Sequence, residues 1–119
     1  MNESEQTELA RAYVALSNAH ALSFILPMFS SSANYQSSSV GEFNGPEAIG
    51  EMMAGFFERF PDVHWNVSTY HHAAVNLVEF EFIMTASEEQ SGDRIERRGL
   101  ERIEFSEDGS ISRISVKTG

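Results

Sequence analysis

Apolar residues recur with helical spacing as far as Phe60 and with alternate spacing beyond Pro61-Asp62. A chain cannot change its hydrophobic period from 3.6 to 2 without changing its secondary structure. This switch therefore predicts helices in the first half, strands in the second, and an α+β fold with the helices gathered on one face of a sheet.

Within the helical half, Leu9, Ala12, Tyr13 and Leu16 fall at i, i+3, i+4 and i+7, which predicts a helix over residues 4–18. Glu3, Glu5 and Glu8 near its start suit the positive end of the helix dipole. A second, shorter helix from about Ala19 to Phe29 presents Leu22, Ile25, Leu26 and Phe29, and Pro27 inside it makes it brief or bent. Ser30-Ser31-Ser32 reads as a turn, Ala33–Ser37 as a short strand, and the Ser/Gly-rich run to Asn44-Gly45 as a loop. Pro46 suits the first turn of a third helix, whose broad apolar face comprises Ile49, Met52, Met53, Phe56, Phe57 and Phe60. Strands are then expected over Val63–His72, Val75–Ser87, Asp93–Phe105 and Ile111–Lys117, the last two joined by the Glu107-Asp108-Gly109 turn. No linker or repeat divides the 119 residues, so they read as a single domain.

Composition removes several function classes. Eight lysines and arginines stand against 18 acidic residues, a formal charge of −10 that opposes nucleic acid and anionic membranes. The absence of cysteine excludes disulfides, a thiolate nucleophile and a sulfur-ligated metal. No HExxH, glycine-rich phosphate loop or GxSxG pattern occurs, and no cofactor or metal is expected. An acidic, polar N-terminus and the lack of a long apolar run point to a cytoplasmic protein with no membrane partner.

Strand phase singles out one acid. Val78, Phe80, Phe82 and Met84 share a face, as do Ile95, Arg97, Gly99, Glu101, Ile103 and Phe105 on the next strand, whereas Glu79 and Glu81 belong to the outer phase with Arg98 and Arg102. Glu101 thus lies on a core-facing row, where a carboxylate is costly unless paired or protonated. Pairing with Arg97 and a functional neutral acid are both compatible with this placement. Tyr13 on the apolar stripe likewise reads either as a core tyrosine or as a hydroxyl donor. His20, His64, His71 and His72 read as surface or junction residues, and the adjacent pair His71-His72 points to opposite faces.

Tyr13-Val14-Ala15-Leu16-Ser17-Asn18-Ala19, Gly45-Pro46-Glu47-Ala48-Ile49, Phe60-Pro61-Asp62 and Glu107-Asp108-Gly109 with Ile111 and Ile114 occur in an order and spacing that resembles the nuclear transport factor 2-like superfamily, in its SnoaL-like and ketosteroid-isomerase-like branch. The resemblance spans nearly the whole chain. It implies a cone in which a curved, mostly antiparallel sheet wraps around three N-terminal helices, with an apolar pocket at the mouth and a homodimer through the outer sheet face. It places Tyr13 at the oxyanion tyrosine and Glu101 at the acid that this family keeps neutral, the behaviour for which ketosteroid isomerase is the standard example. Ser37 occupies the position of the aspartate base, and His20-Ala21 stands where a small residue and aspartate are common. The implied activity is isomerase- or cyclase-like acid/base chemistry on an apolar carbonyl- or hydroxyl-bearing ligand, with Tyr13, Glu101 and Ser37 at the reacting centre and Tyr35, Met52, Phe56, Phe57, Trp65, Phe82 and Arg97 lining the pocket. The alternative is a non-catalytic ligand-binding or dimerisation module of the same fold.

Overall fold

The computed structural model describes residues 2–118. Helix α1 (Glu3–Asn18) begins at a reciprocal cap, in which Asn2 Oδ1 accepts from the Glu5 N–H at 2.8 Å and Glu5 Oε1 accepts from the Asn2 N–H at 3.3 Å. Its buried face is Gln6, Ala10, Tyr13, Val14 and Ser17, rotated from the apolar stripe read in the sequence, and Ala12 is exposed. The rotation is possible because buried Gln6 is fully partnered: its Nε2 donates to Asn76 Oδ1 at 2.8 Å and its Oε1 lies 2.8 Å from His72 Nε2.

The second helix is shorter than its apolar pattern implied. α2 (Leu22–Ile25) tightens into a 3-10 turn at Leu26–Met28 around Pro27, and Phe29 already opens strand β1 (Phe29–Ser37). Ser30-Ser31-Ser32 is strand rather than turn, and the expected loop contains β2 (Gly41–Asn44), paired antiparallel with β1. Helix α3 (Gly45–Arg59) carries Pro46 in its first turn and ends at the buried Phe60.

The remaining strands are β3 (His64–Asn66), β4 (Tyr70–Ala74), β5 (Leu77–Ser87), β6 (Arg94–Phe105) and β7 (Ile111–Thr118). The seven-stranded sheet has the order β2-β1-β7-β6-β5-β3, with β4 also on β5, and only the β1–β7 pair is parallel. The expected strand Val63–His72 is thus two strands laid end to end along one edge of β5. Trp65 pairs with Met84 and Tyr70 with Phe80, so five steps on one side match four on the other. That extra residue reverses the phase. Tyr70 and His72 turn inward toward α1, whereas His64 and Asn66 face outward and exposed.

The expected phases of β5 and β6 hold: Val78, Phe80, Phe82, Met84, Glu101, Ile103 and Phe105 are buried. On the outer face Arg102 Nε meets Glu79 at 2.9 Å. Asp62 secures the turn after α3 to the β5–β6 hairpin by accepting from the Ser87 N–H at 2.7 Å and from Arg94 at 3.1 Å. The result is a curved mixed sheet around three helices, the α+β cone expected. No helix among the described residues is long and apolar enough to cross a membrane.

Candidate functional site

Sheet register brings the sequence-selected residues together. Ser37 pairs with Val116, Val116 with Glu101, Glu101 with Phe80 and Phe80 with Tyr70, forming one row across β1, β7, β6, β5 and β4. Farther along β6, Arg97 pairs with Met84, which pairs with Trp65. α3 closes the opposite wall with Met52, Met53, Phe56 and Phe57, and α1 contributes Tyr13, Val14 and Ser17. These walls enclose a cavity with about 70 Å³ open to the centre of a water molecule, room for several waters or a small ligand.

All ten residues singled out in the sequence line this one cavity: Tyr13, Ser37, Glu101, Tyr35, Met52, Phe56, Phe57, Trp65, Phe82 and Arg97. Sequence reading missed the polar rim of Ser39 and Thr118, with Val40 beside it, because it depends on the turn after β1 meeting the end of β7. Ser38 and Thr118 make that contact, the Thr118 N–H donating to Ser38 Oγ at 3.0 Å. The phase reversal also brings Tyr70 inward, its ring 5.0 Å from Phe80, without making it part of the cavity lining.

Several contacts hold the walls in place. Asn18, at the end of α1, grips Trp65 from both sides of its backbone: Oδ1 accepts from the Trp65 N–H at 2.7 Å and Nδ2 donates to the Trp65 carbonyl at 3.0 Å. Phe56 stacks near Trp65 at 6.0 Å, and His20 lies flat on Phe57 at 4.3 Å. Phe82 needs Gly99 as its neighbour, since a Cβ there would fall 2.4 Å from the ring and 2.6 Å from the Lys117 carbonyl. That missing side chain lets a phenylalanine lie across β6 and floor the cavity.

The electrostatics follow from burial. Glu101 is 6% exposed, and loss of water alone pushes its carboxyl from 4.5 to about 8. Neither Arg97 nor any other described arginine or lysine lies within ion-pair distance, so the structural pairing considered from the sequence does not form. Burial also raises the Tyr13 phenol well above its usual range, with Tyr35 and Glu101 adding to the effect and Ser17 slightly opposing it. Tyr35 is raised by burial and by Glu101. At pH 7 this apolar cavity therefore carries two phenols and a predominantly protonated carboxylic acid, three neutral O–H donors.

Ser37 lies on the rim, its Oγ 3.2 Å from Ser39 Oγ and accepting from the Ser39 and Val40 N–H groups at 3.3 Å each. No imidazole or second carboxylate lines the cavity among the described residues. Nor do three His, Asp or Glu side chains gather there or elsewhere in a metal-binding cluster, among those residues.

Comparison with known proteins places this geometry. No curated protein sequence matches the chain. AclR of Streptomyces galilaeus, described as a candidate hydroxylase, superposes with a TM-score of 0.84 at 21% identity, covering 99% of this chain and 91% of that one. A SnoaL-like protein of unknown function from Burkholderia thailandensis gives 0.82 at 19%, over 100% and 98% of the two chains. SalBIII, described as an epoxide hydrolase/cyclase-like enzyme in pyran ring formation in the polyether salinomycin, gives 0.88 at 15%, over 99% and 93%. At such identities the likeness is one of fold. The sequence profile of the SnoaL-like domain, in contrast, matches residues 10–114, nearly the whole cone, and the chain belongs to that family.

Proposed function

We propose that the chain binds an apolar small molecule bearing a carbonyl or hydroxyl oxygen and performs isomerase- or cyclase-type acid/base chemistry on it. The observation that carries this reading is Glu101, an acid raised to about 8 by burial in a cavity that it shares with Tyr13. A donor in a water-poor site stabilises charge developing on a ligand oxygen far better than it would in water. Tyr13 and protonated Glu101 supply two such donors. A carboxyl titrating near 8 also releases and recovers a proton close to neutral pH, which general acid/base work requires. The apolar walls of Met52, Phe56, Phe57, Trp65 and Phe82 favour a flat, hydrophobic body.

Titrating 2-acetylnaphthalene into the protein, with amide chemical shifts as the readout, tests the binding step. Shifts centred on Tyr13 and Glu101 are expected, and a Tyr13→Phe, Glu101→Gln double variant should lose binding at least tenfold. Unchanged affinity in that variant would remove the proposal.

One observation favours a second reading, a pocket that binds without turnover. Among the described residues the Ser37 hydroxyl meets only Ser39 and Val40 in hydrogen bonding, and neither is a base. Proton transfer then rests on Glu101 alone. Solvent deuterium exchange at the ligand's α-carbon separates the two readings, since a binding module catalyses none. The same proposal includes a homodimer through the outer sheet face, where Leu77, Ile83 and Leu100 lie half-buried among charges. Light scattering at micromolar concentration should return twice the chain mass.

A further inference from the structure

Arg97 differs from every other basic side chain in the protein. Arg11, Arg59, Arg94 and Arg102 are exposed, and each meets a carboxylate, at 3.7, 3.0, 3.1 and 2.9 Å respectively. Arg98, Arg113 and Lys117 are exposed at the surface. Arg97 alone is half-buried, and it has no carboxylate within 4.0 Å among the described residues. Among the described residues it is also the only basic group lining the cavity. A cation drawn partly out of water beside Met84 and Trp65 loses hydration with no counter-charge from the described residues.

With its carboxyl protonated, Glu101 leaves the cavity one net positive charge inside a protein whose formal charge is −10. Near Arg97 the rim offers the hydroxyl of Thr118, which lies in register with Gly99 two residues along β6, a small donor of the kind that completes a carboxylate site. Arg97 and Glu101 stand on the same face of β6, four residues and therefore about 13 Å apart along the strand. The two polar anchors thus lie at opposite ends of an apolar slot.

We propose that the ligand of this pocket is an organic acid, with a flat apolar body whose carboxylate is held at the mouth by Arg97 and whose carbonyl or hydroxyl reaches Glu101 at the far end. The inference rests on the pocket reading above and adds the charge and polarity of the ligand. It also assigns Arg97 the selection of acids over esters and neutral ketones. A guanidinium engages a carboxylate through two parallel N–H···O bonds, which lysine or a neutral donor cannot reproduce in geometry.

Calorimetric titration of 6-hydroxy-2-naphthoate and of its methyl ester tests the assignment, because the two share the flat body and far hydroxyl and differ at the mouth, where one carries a carboxylate and the other a neutral methyl ester. The acid should bind at least tenfold more tightly than the ester. Arg97→Met should remove that preference by weakening the acid at least tenfold while leaving the ester within about twofold, and Arg97→Lys should keep part of it. Should Arg97→Met fail to fold, the acid-to-ester ratio of the unaltered protein and of Arg97→Lys decides. Equal binding of acid and ester, with both still shifting the Tyr13 and Glu101 amide signals, would overturn the role of Arg97 and leave the pocket reading standing. If neither compound shifts those signals, both fall.

Discussion

Replacing Glu101 by glutamine should make this protein more stable as pH rises, and the size of the effect follows from the buried carboxyl. In the unfolded chain the group titrates near 4.5 and in the folded protein at about 8. Between those values the folded state holds a proton that the unfolded state has lost, so stability falls as pH rises through the window. At about 1.4 kcal/mol per pH unit, the span from 4.5 to about 8 corresponds to a loss of about 5 kcal/mol, complete above pH 8. Glutamine keeps the shape and the donor but does not titrate. Urea unfolding from pH 4 to 9 should therefore show variant and parent equal near pH 4 and diverging steadily above it. At roughly 4 °C per kcal/mol for a chain of this length, Tm should differ by as much as about 20 °C at pH 9. Other groups titrate in both proteins and cancel in the difference. Parallel stability curves across the whole range would refute the placement of a lone, buried carboxyl at this position.

Gly99→Ala should cost about 1–3 kcal/mol in urea unfolding, because its Cβ meets the Phe82 ring and the Lys117 carbonyl, and Phe82→Leu in the same chain should recover part of the loss. Asn18→Ala should cost a similar amount by freeing the Trp65 backbone, and should shift the emission of the single tryptophan to the red as the pocket wall loosens. Asn76 holds φ at +60° and accepts from Gln6. Asn76→Gly and Asn76→Ala lose the same hydrogen bond, so the alanine variant should melt lower by the backbone cost alone, about 1 kcal/mol.

How far the fold could be read in the sequence depended on whether apolar spacing or polar partnership set each element. β5 and β6 were legible because their alternation is strict, and phase alone marked Glu101 as an inward acid. The α3 face and its stop at Pro61-Asp62 were legible for the same reason. Ser30-Ser31-Ser32 was not, since those residues become strand through pairing along β1, which no apolar pattern records. Gln6 escaped notice because its burial depends on Asn76 and His72, some 70 residues distant in the chain. The phase reversal between Trp65 and Tyr70 was hidden in Val67-Ser68-Thr69, a stretch with ordinary strand composition. The resemblance brought Tyr13, Ser37 and Glu101 forward, and register explains why they meet. The rim at Ser39 and Thr118 depends on contact between the β1 turn and the end of β7, and local spacing carries no trace of it.

Above pH 5 a glutamine at position 101 would hold the same shape at lower cost, so packing and hydrogen bonding of the fold do not by themselves account for the acid. An unshifted glutamate would be fully ionised at neutral pH and could only accept. Glutamine can donate but cannot exchange a proton. An acid held near 8 does both within about one pH unit of neutrality, and only while the apolar walls keep water from it. Phe82 and Phe80, packed against β6 beside Gly99, are therefore part of the chemistry of Glu101 as much as of the core. The same desolvation that lowers stability as pH rises toward 8 keeps on Glu101 the proton that the proposed acid/base function would use.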